Sequence, residues 1–151
     1  MDNNKKSDLI PISKIIAKPK KGISPNHKSL KEYKLSLKEL SNIQREASIG
    51  LMLGDASLQT QNKGKTHRMK FEWGDKNKVY MEHVYALFEE WVISPPHKKL
   101  RVNINGNTVI NWGFQTISHE AFNILKDIFL IDNHKSVPDD LIQNYLTPRG
   151  V

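Results

Sequence analysis

Ala47-Ser48-Ile49-Gly50-Leu51-Met52-Leu53-Gly54-Asp55-Ala56 is an apolar run dotted with small residues and closed by a single acid. On a helix, Ala47, Gly50, Leu51 and Gly54 recur at i, i+3, i+4 and i+7 and share one face. That face is nearly bare of side chains. A glycine inside a helix costs about 1 kcal/mol relative to alanine, so two in one stretch ask for a reason. Close approach of a second helix backbone supplies it, which makes these four residues a candidate helix–helix interface. Asp55 falls where two such helices would end together. The helix macrodipole is negative at that end, so an acid there points to a cation ligand.

Upstream, Ser41-Asn42-Ile43-Gln44 has the form of a capping box, with Ser41 as N-cap and Gln44 at N3. The spacing predicts a helix from there to about Gly54. Leu30, Tyr33, Leu37 and Leu40 predict a short amphipathic helix over Ser29 to Leu40. In residues 1–28, lysines, serines and asparagines surround short apolar pairs, and Pro11, Pro19 and Pro25 prevent a long helix. This reads as a basic arm, mostly disordered when unbound. Of the net charge of +7, residues 1–40 carry +6. Such an arm suits a polyanion, and equally a solvated tail.

Downstream, Ser57 to Gln61 and Thr66 to Trp73 flank the turn Asn62-Lys63-Gly64-Lys65 and predict a hairpin. Asp75 is placed to cap a helix over Lys76 to Val92, which Ser94-Pro95-Pro96 would end. A second hairpin turns at Asn105-Gly106. Ser118 would cap a helix to about Leu130, Ile131 to Val137 reads as a loop, and Pro138 opens a last short helix. The order is one added helix followed by α-β-β-α-β-β-α. Two hairpins in one four-stranded sheet with helices behind make an α+β layer.

Period-two alternation divides that sheet into two faces. Met69, Phe71, Trp73, Leu100, Val102, Ile104, Ile110, Trp112 and Phe114 form an apolar face expected to pack on helices. Arg68, Lys70, Glu72, Arg101, Asn103, Asn111 and Gln115 form the other. An ordinary wetted sheet face looks much like this. Cations mixed with amides also suit base edges in a major groove, Arg for guanine and Asn or Gln for adenine. Lys98 and Lys99 are candidates for phosphate contact or for a solvated loop.

With no cysteine in 151 residues, disulfides and thiolate metal sites are excluded, and a reducing or organellar setting is expected. No apolar run approaches the ~18 residues of a membrane span. No signal-peptide core or arginine-rich presequence is expected either. Lysine outnumbers arginine, and isoleucine and asparagine are abundant. Their codons are A/T-rich, as in many organellar genomes. The histidines are scattered without metal-ligand spacing.

Ser48-Ile49-Gly50-Leu51-Met52-Leu53-Gly54-Asp55-Ala56 resembles the motif of the LAGLIDADG homing endonucleases. Gly50, Leu51 and Asp55 match in identity, while Ser48, Leu53 and Ala56 depart from the name-string. Phe71-Glu72-Trp73, Trp91 to Lys99, Trp112-Gly113-Phe114-Gln115-Thr116 and Asn144-Tyr145-Leu146-Thr147-Pro148 carry the resemblance further. It covers Ser29 to Val151 and is to the first half of a two-motif, single-chain member.

The resemblance implies a half-fold whose sheet is a DNA-binding saddle. It implies metal-dependent, site-specific cleavage of double-stranded DNA by an intron-encoded enzyme in a mitochondrion. It implies Mg2+ held by Asp55 and the Gly54 carbonyl, with Lys135 beside it as a catalytic residue. One motif is present where two acids are needed, so a second LAGLIDADG half is expected as downstream sequence, a separate chain or a homodimer partner. Two alternatives remain: a non-catalytic DNA-binding module, and a maturase that binds RNA and assists intron splicing.

Overall fold

The structure, a computed structural model, describes residues 16–131 and 134–139. The chain divides into two units, Met1–Leu37 and Lys38–Val151. In the first, α1 (Lys28–Ser36) is capped by His27, whose ring accepts from Ser29 N–H, and its buried side chains are Leu30 and Tyr33. Residues 1–15 of the expected arm and the helix expected after Pro138 lie outside the described residues.

The second unit opens with α2 (Asn42–Met52). Both arms of the expected capping box are formed: Ser41 Oγ accepts from Gln44 N–H and Gln44 Oε1 accepts from Ser41 N–H. The Gln44 amide does more than cap. Its Oε1 also accepts from the indole of Trp91 at 3.2 Å, and its Nε2 donates to the Leu87 carbonyl at 2.9 Å. One buried side chain thus ties the start of α2 to the end of the next helix.

Four antiparallel strands follow: β1 (Ala56–Gln59), β2 (Arg68–Gly74), β3 (His97–Val102) and β4 (Thr108–Gln115). Their order is β1-β2-β4-β3, so the two hairpins join through β2 and β4 into the single expected sheet. The first hairpin closes through side chains. Thr60 Oγ1 accepts from Gly64 N–H and Asn62 Oδ1 from Thr66 N–H, which draws Thr60 and Gln61 out of the expected strand. In the second, Asn103 Oδ1 accepts from the N–H groups of Asn105 and Asn107 around Gly106, which has a φ of +81°.

Helix α3 (Lys78–Phe88) packs on β2 and β4, and α2 packs on β1. Phe71, Trp73 and Phe114 form the centre of this layer. Phe71 and Phe114 stand opposite in register with ring centroids 4.7 Å apart, and Phe71 also meets Phe88 of α3. Helix α4 (Asn123–Phe129) packs on α2 and buries Leu125, Ile128 and Phe129. Phe122, just before it, meets Trp91 edge-on.

Several local expectations give way to tertiary contacts. Asp75 does not cap a helix. Its carboxylate takes the indole N–H of Trp112 at 2.7 Å, and a 3-10 turn over Asp75–Asn77 precedes α3. Trp91 lies in another 3-10 turn after α3, so the α-helix ends earlier than Val92. His119, not Ser118, caps the next segment by accepting from Ala121 N–H. The segment expected as a loop after Leu130 holds a short ladder, with β5 (Leu130–Ile131) against β6 (His134–Lys135).

The apolar sheet face is only partly covered. Met69, Phe71, Trp73 and Phe114 are buried, but Leu100, Val102 and Ile104 are 68%, 71% and 104% exposed. The helices pack on β1, β2 and β4, and the tip of the β3–β4 hairpin extends beyond them. The expectation that all nine apolar residues pack on helices therefore holds for the centre of the sheet and fails at its edge.

Candidate nucleic-acid interface and catalytic corner

The polar face of the sheet is built by register. Lys70 stands opposite Gln115, Glu72 opposite Gly113, and Lys99 opposite Asn111, so their side chains emerge on one side. Arg68 and Arg101 belong to the same face by alternation along β2 and β3. Ser57 and Gln59 of β1 join it through their pairings with Lys70 and Arg68. Gln59 was not among the sequence candidates, although alternation from Leu58 would have found it. Its Oε1 accepts from Nε and Nη2 of Arg68 at 3.3 and 3.2 Å.

Glu72 is the hub of this face. It accepts from Nε of Arg101, from Nη2 of Arg101 at 2.9 Å and from Nδ2 of Asn111 at 3.0 Å. The ammonium of Lys99 is 3.5 Å from its second oxygen. The Arg101 hydrogen bond above all holds the Glu72 carboxyl down at about 2; burial opposes this, and Asn111 and Lys99 add to it. Gly113 makes room. A Cβ there would meet the Phe71 carbonyl at 2.7 Å and would stand 3.7 Å from Lys99 Nζ.

Two candidates stand apart. Lys98 pairs with Trp112, which places it on the opposite side from Lys99. Asn103 lies beyond β3, and its carbonyl oxygen holds the turn.

Asp55 lies in the turn between α2 and β1, and both it and Gly54 are exposed. The long-range chain path then supplies a partner. Lys135 of β6 donates from Nζ to the carbonyl of Ala56 at 2.8 Å. Burial pushes the Lys135 ammonium below the ordinary lysine value, and the Asp55 carboxylate pulls it back up. The two candidate catalytic residues are thus brought together. Among the described residues, no group of three or more His, Cys, Asp or Glu gathers to hold a metal. Asp55 and the Gly54 carbonyl are hard oxygen donors, a partial set that phosphate oxygens and a second carboxylate would complete.

On α2, Leu51 is buried within the chain, while Ala47 and Gly50 are half-buried and Ile43 is 48% exposed; the helix ends at Met52, so Gly54 lies in the exposed turn after it and not on the helix face. A stripe of small and apolar residues thus remains reachable from outside the fold.

Residues 45–151 match the model of the LAGLIDADG DNA endonuclease family. The chain is 42% identical, over 130 residues, to a probable intron-encoded endonuclease 1 of Wickerhamomyces canadensis, covering 86% of this chain and 55% of that protein. It is 29% identical over 152 residues to the chloroplastic pentatricopeptide repeat-containing protein OTP51 of Oryza sativa subsp. japonica, covering 99% of this chain and 18% of that protein. Among solved structures it resembles the homing endonuclease I-WcaI bound to its DNA recognition sequence, with a TM-score of 0.78 and 42% identity, covering 85% of this chain and 56% of that one. The chain spans about half the length of the yeast relative and of the solved structure.

Proposed function

The chain belongs to the LAGLIDADG DNA endonuclease family, and from that premise we propose that it is one half of an intron-encoded homing endonuclease that cuts double-stranded DNA at a specific site. One observation carries the reading. An exposed acid, Asp55, sits at the end of the motif helix with Lys135 drawn beside it, and the sheet that follows presents a face of cations and amides.

In this reading the sheet face enters the major groove and Asp55 approaches a scissile phosphate. Asp55 and the Gly54 carbonyl would hold a divalent cation, for which oxygen-only donors favour Mg2+. Such an ion activates water and stabilises the leaving oxygen when bound. Lys135 spends one N–H on the Ala56 carbonyl and keeps two for phosphate oxygen or attacking water. It holds positive charge where negative charge develops on the phosphate.

Cutting both strands needs a second acid. The accessible stripe of Ile43, Ala47 and Gly50 is the seat for a second LAGLIDADG half, whether downstream in the same protein, on another chain or in a second copy. Residues 1–28 add phosphate contacts. An organellar setting, mitochondrial by resemblance, fits the intron-encoded relative.

The test is metal-dependent cleavage of duplexes that carry the intronless insertion site, with a complementing half supplied. Cleavage that needs both the divalent ion and Asp55 supports the proposal. Binding of the intron RNA in preference to any duplex overturns it. That outcome would favour an RNA-binding maturase instead.

A further inference from the structure

The Glu72 carboxylate lies in the middle of the candidate reading face yet is poorly placed to read a base itself. A carboxylate has about four lone-pair sites. Here Oε1 takes Arg101 Nε and Asn111 Nδ2, and Oε2 takes Arg101 Nη2 and faces Lys99 Nζ. Its side chain is 23% exposed, against 53% for Arg101. Accepting a cytosine amino group would mean breaking this network.

The donors left over are informative. Glu72 grips Arg101 side-on, through Nε and Nη2. The end-on pair, Nη1 with the second N–H of Nη2, remains unspent by that grip, and this pair matches guanine O6 and N7. Asn111 gives one N–H to Glu72. Its other N–H and its carbonyl oxygen still form the donor–acceptor pair that matches adenine N7 and N6. Glu72 therefore fixes two side chains without consuming the base-reading edge of either.

Resting on the reading of this sheet as a DNA-binding face, we infer that Glu72 is a positioning residue that presets Arg101 and Asn111 to read two neighbouring purines, a guanine and an adenine, and holds Arg101 and Lys99 back from the phosphates. Fixing a long arginine before binding removes part of the entropy lost on docking and narrows the geometries it can accept. Withholding two cations from phosphate lowers sequence-independent affinity. Both effects raise specificity. Gly113, opposite Glu72, lets β4 lie close against β2, since a Cβ there would collide with the Phe71 carbonyl at 2.7 Å.

The experiment selects bound duplexes from a randomised DNA pool with the full 151-residue chain, then repeats the selection with Glu72→Ala and Arg101→Lys. Wild type should enrich a guanine and an adenine at neighbouring positions. Glu72→Ala should reduce both preferences about tenfold. It should also bind unrelated duplex more tightly, with a log–log salt slope steeper by about 1–2 as Arg101 and Lys99 reach phosphate. Arg101→Lys keeps the charge but not the fork, and should lose the guanine preference while keeping the adenine. A melting curve for each variant confirms folding. Glu72→Ala with unchanged base preferences overturns the positioning role alone. So does Arg101→Lys with an intact guanine preference, which tests the idea even if Glu72→Ala fails to fold. A wild-type chain that enriches no sequence overturns the DNA-reading face and Glu72's role with it.

Discussion

Lys135 Nζ donates to the main-chain carbonyl of Ala56 across 79 residues of sequence, and the carboxylate of Asp55, one residue earlier, acts on the same ammonium. The acid and the base are therefore a tertiary pair. Asp55→Asn keeps the side chain's size and removes its charge. In a complemented assembly, cleavage should fall by about two orders of magnitude or more. Duplex affinity should change little, because phosphate and base contacts lie on the sheet. Parallel cleavage and binding assays check this, and a variant that cleaves at the wild-type rate removes Asp55 from the chemistry.

The same pair makes a titration prediction. Burial lowers the Lys135 pKa and the Asp55 charge raises it, with the net below the ordinary lysine value of 10.5. Deleting the Asp55 charge leaves burial unopposed, so the Lys135 pKa should fall further in Asp55→Asn. NMR titration of the lysine side-chain resonances measures it in both proteins. An upward shift would contradict the placement.

Glu72 should govern part of the acid stability. Its pKa falls from 4.5 to about 2 on folding, chiefly through the Arg101 hydrogen bond. A depressed carboxylate contributes stability that is full above the unfolded value and disappears as pH falls through the folded one. The loss should therefore occur between about pH 5 and pH 2. Glu72→Gln should flatten the fall of unfolding free energy over that window. Urea titrations at several pH values report the slope, and parallel curves for the two proteins would count against the network.

Gln44 should matter for stability far more than a helix cap. Gln44→Leu strips partners from Ser41 N–H, the Trp91 indole and the Leu87 carbonyl at once. Unsatisfied buried groups cost roughly 1–3 kcal/mol each, and partial relaxation makes a total of about 2–4 kcal/mol reasonable. Chemical denaturation measures it. A cost near that of an ordinary N-cap, about 1 kcal/mol, would mean that the link to Trp91 contributes nothing.

Much of the architecture is local, and the sequence alone determined it. Ser41 and Gln44 are three residues apart, so their reciprocal hydrogen bonds follow once the chain turns into a helix. The alternation through Met69, Phe71 and Trp73 sets the buried face of β2 because successive side chains in a strand must point to opposite sides. The motif ending at Asp55 pointed to the family and to the acid. Tertiary structure decided the rest, because those contacts depend on where separate elements come to lie. Nothing local to Asp75 says that it will receive the Trp112 indole instead of capping a helix. Nothing in Leu100, Val102 and Ile104 says that the helices stop short of them. Period-two reading placed Glu72, Arg101 and Asn111 on one face, but only the register of β2, β4 and β3 brings their polar groups within hydrogen-bond distance. The meeting of Lys135 with Ala56 requires β6 to pass beside the end of α2, and that path is set by packing across the whole unit.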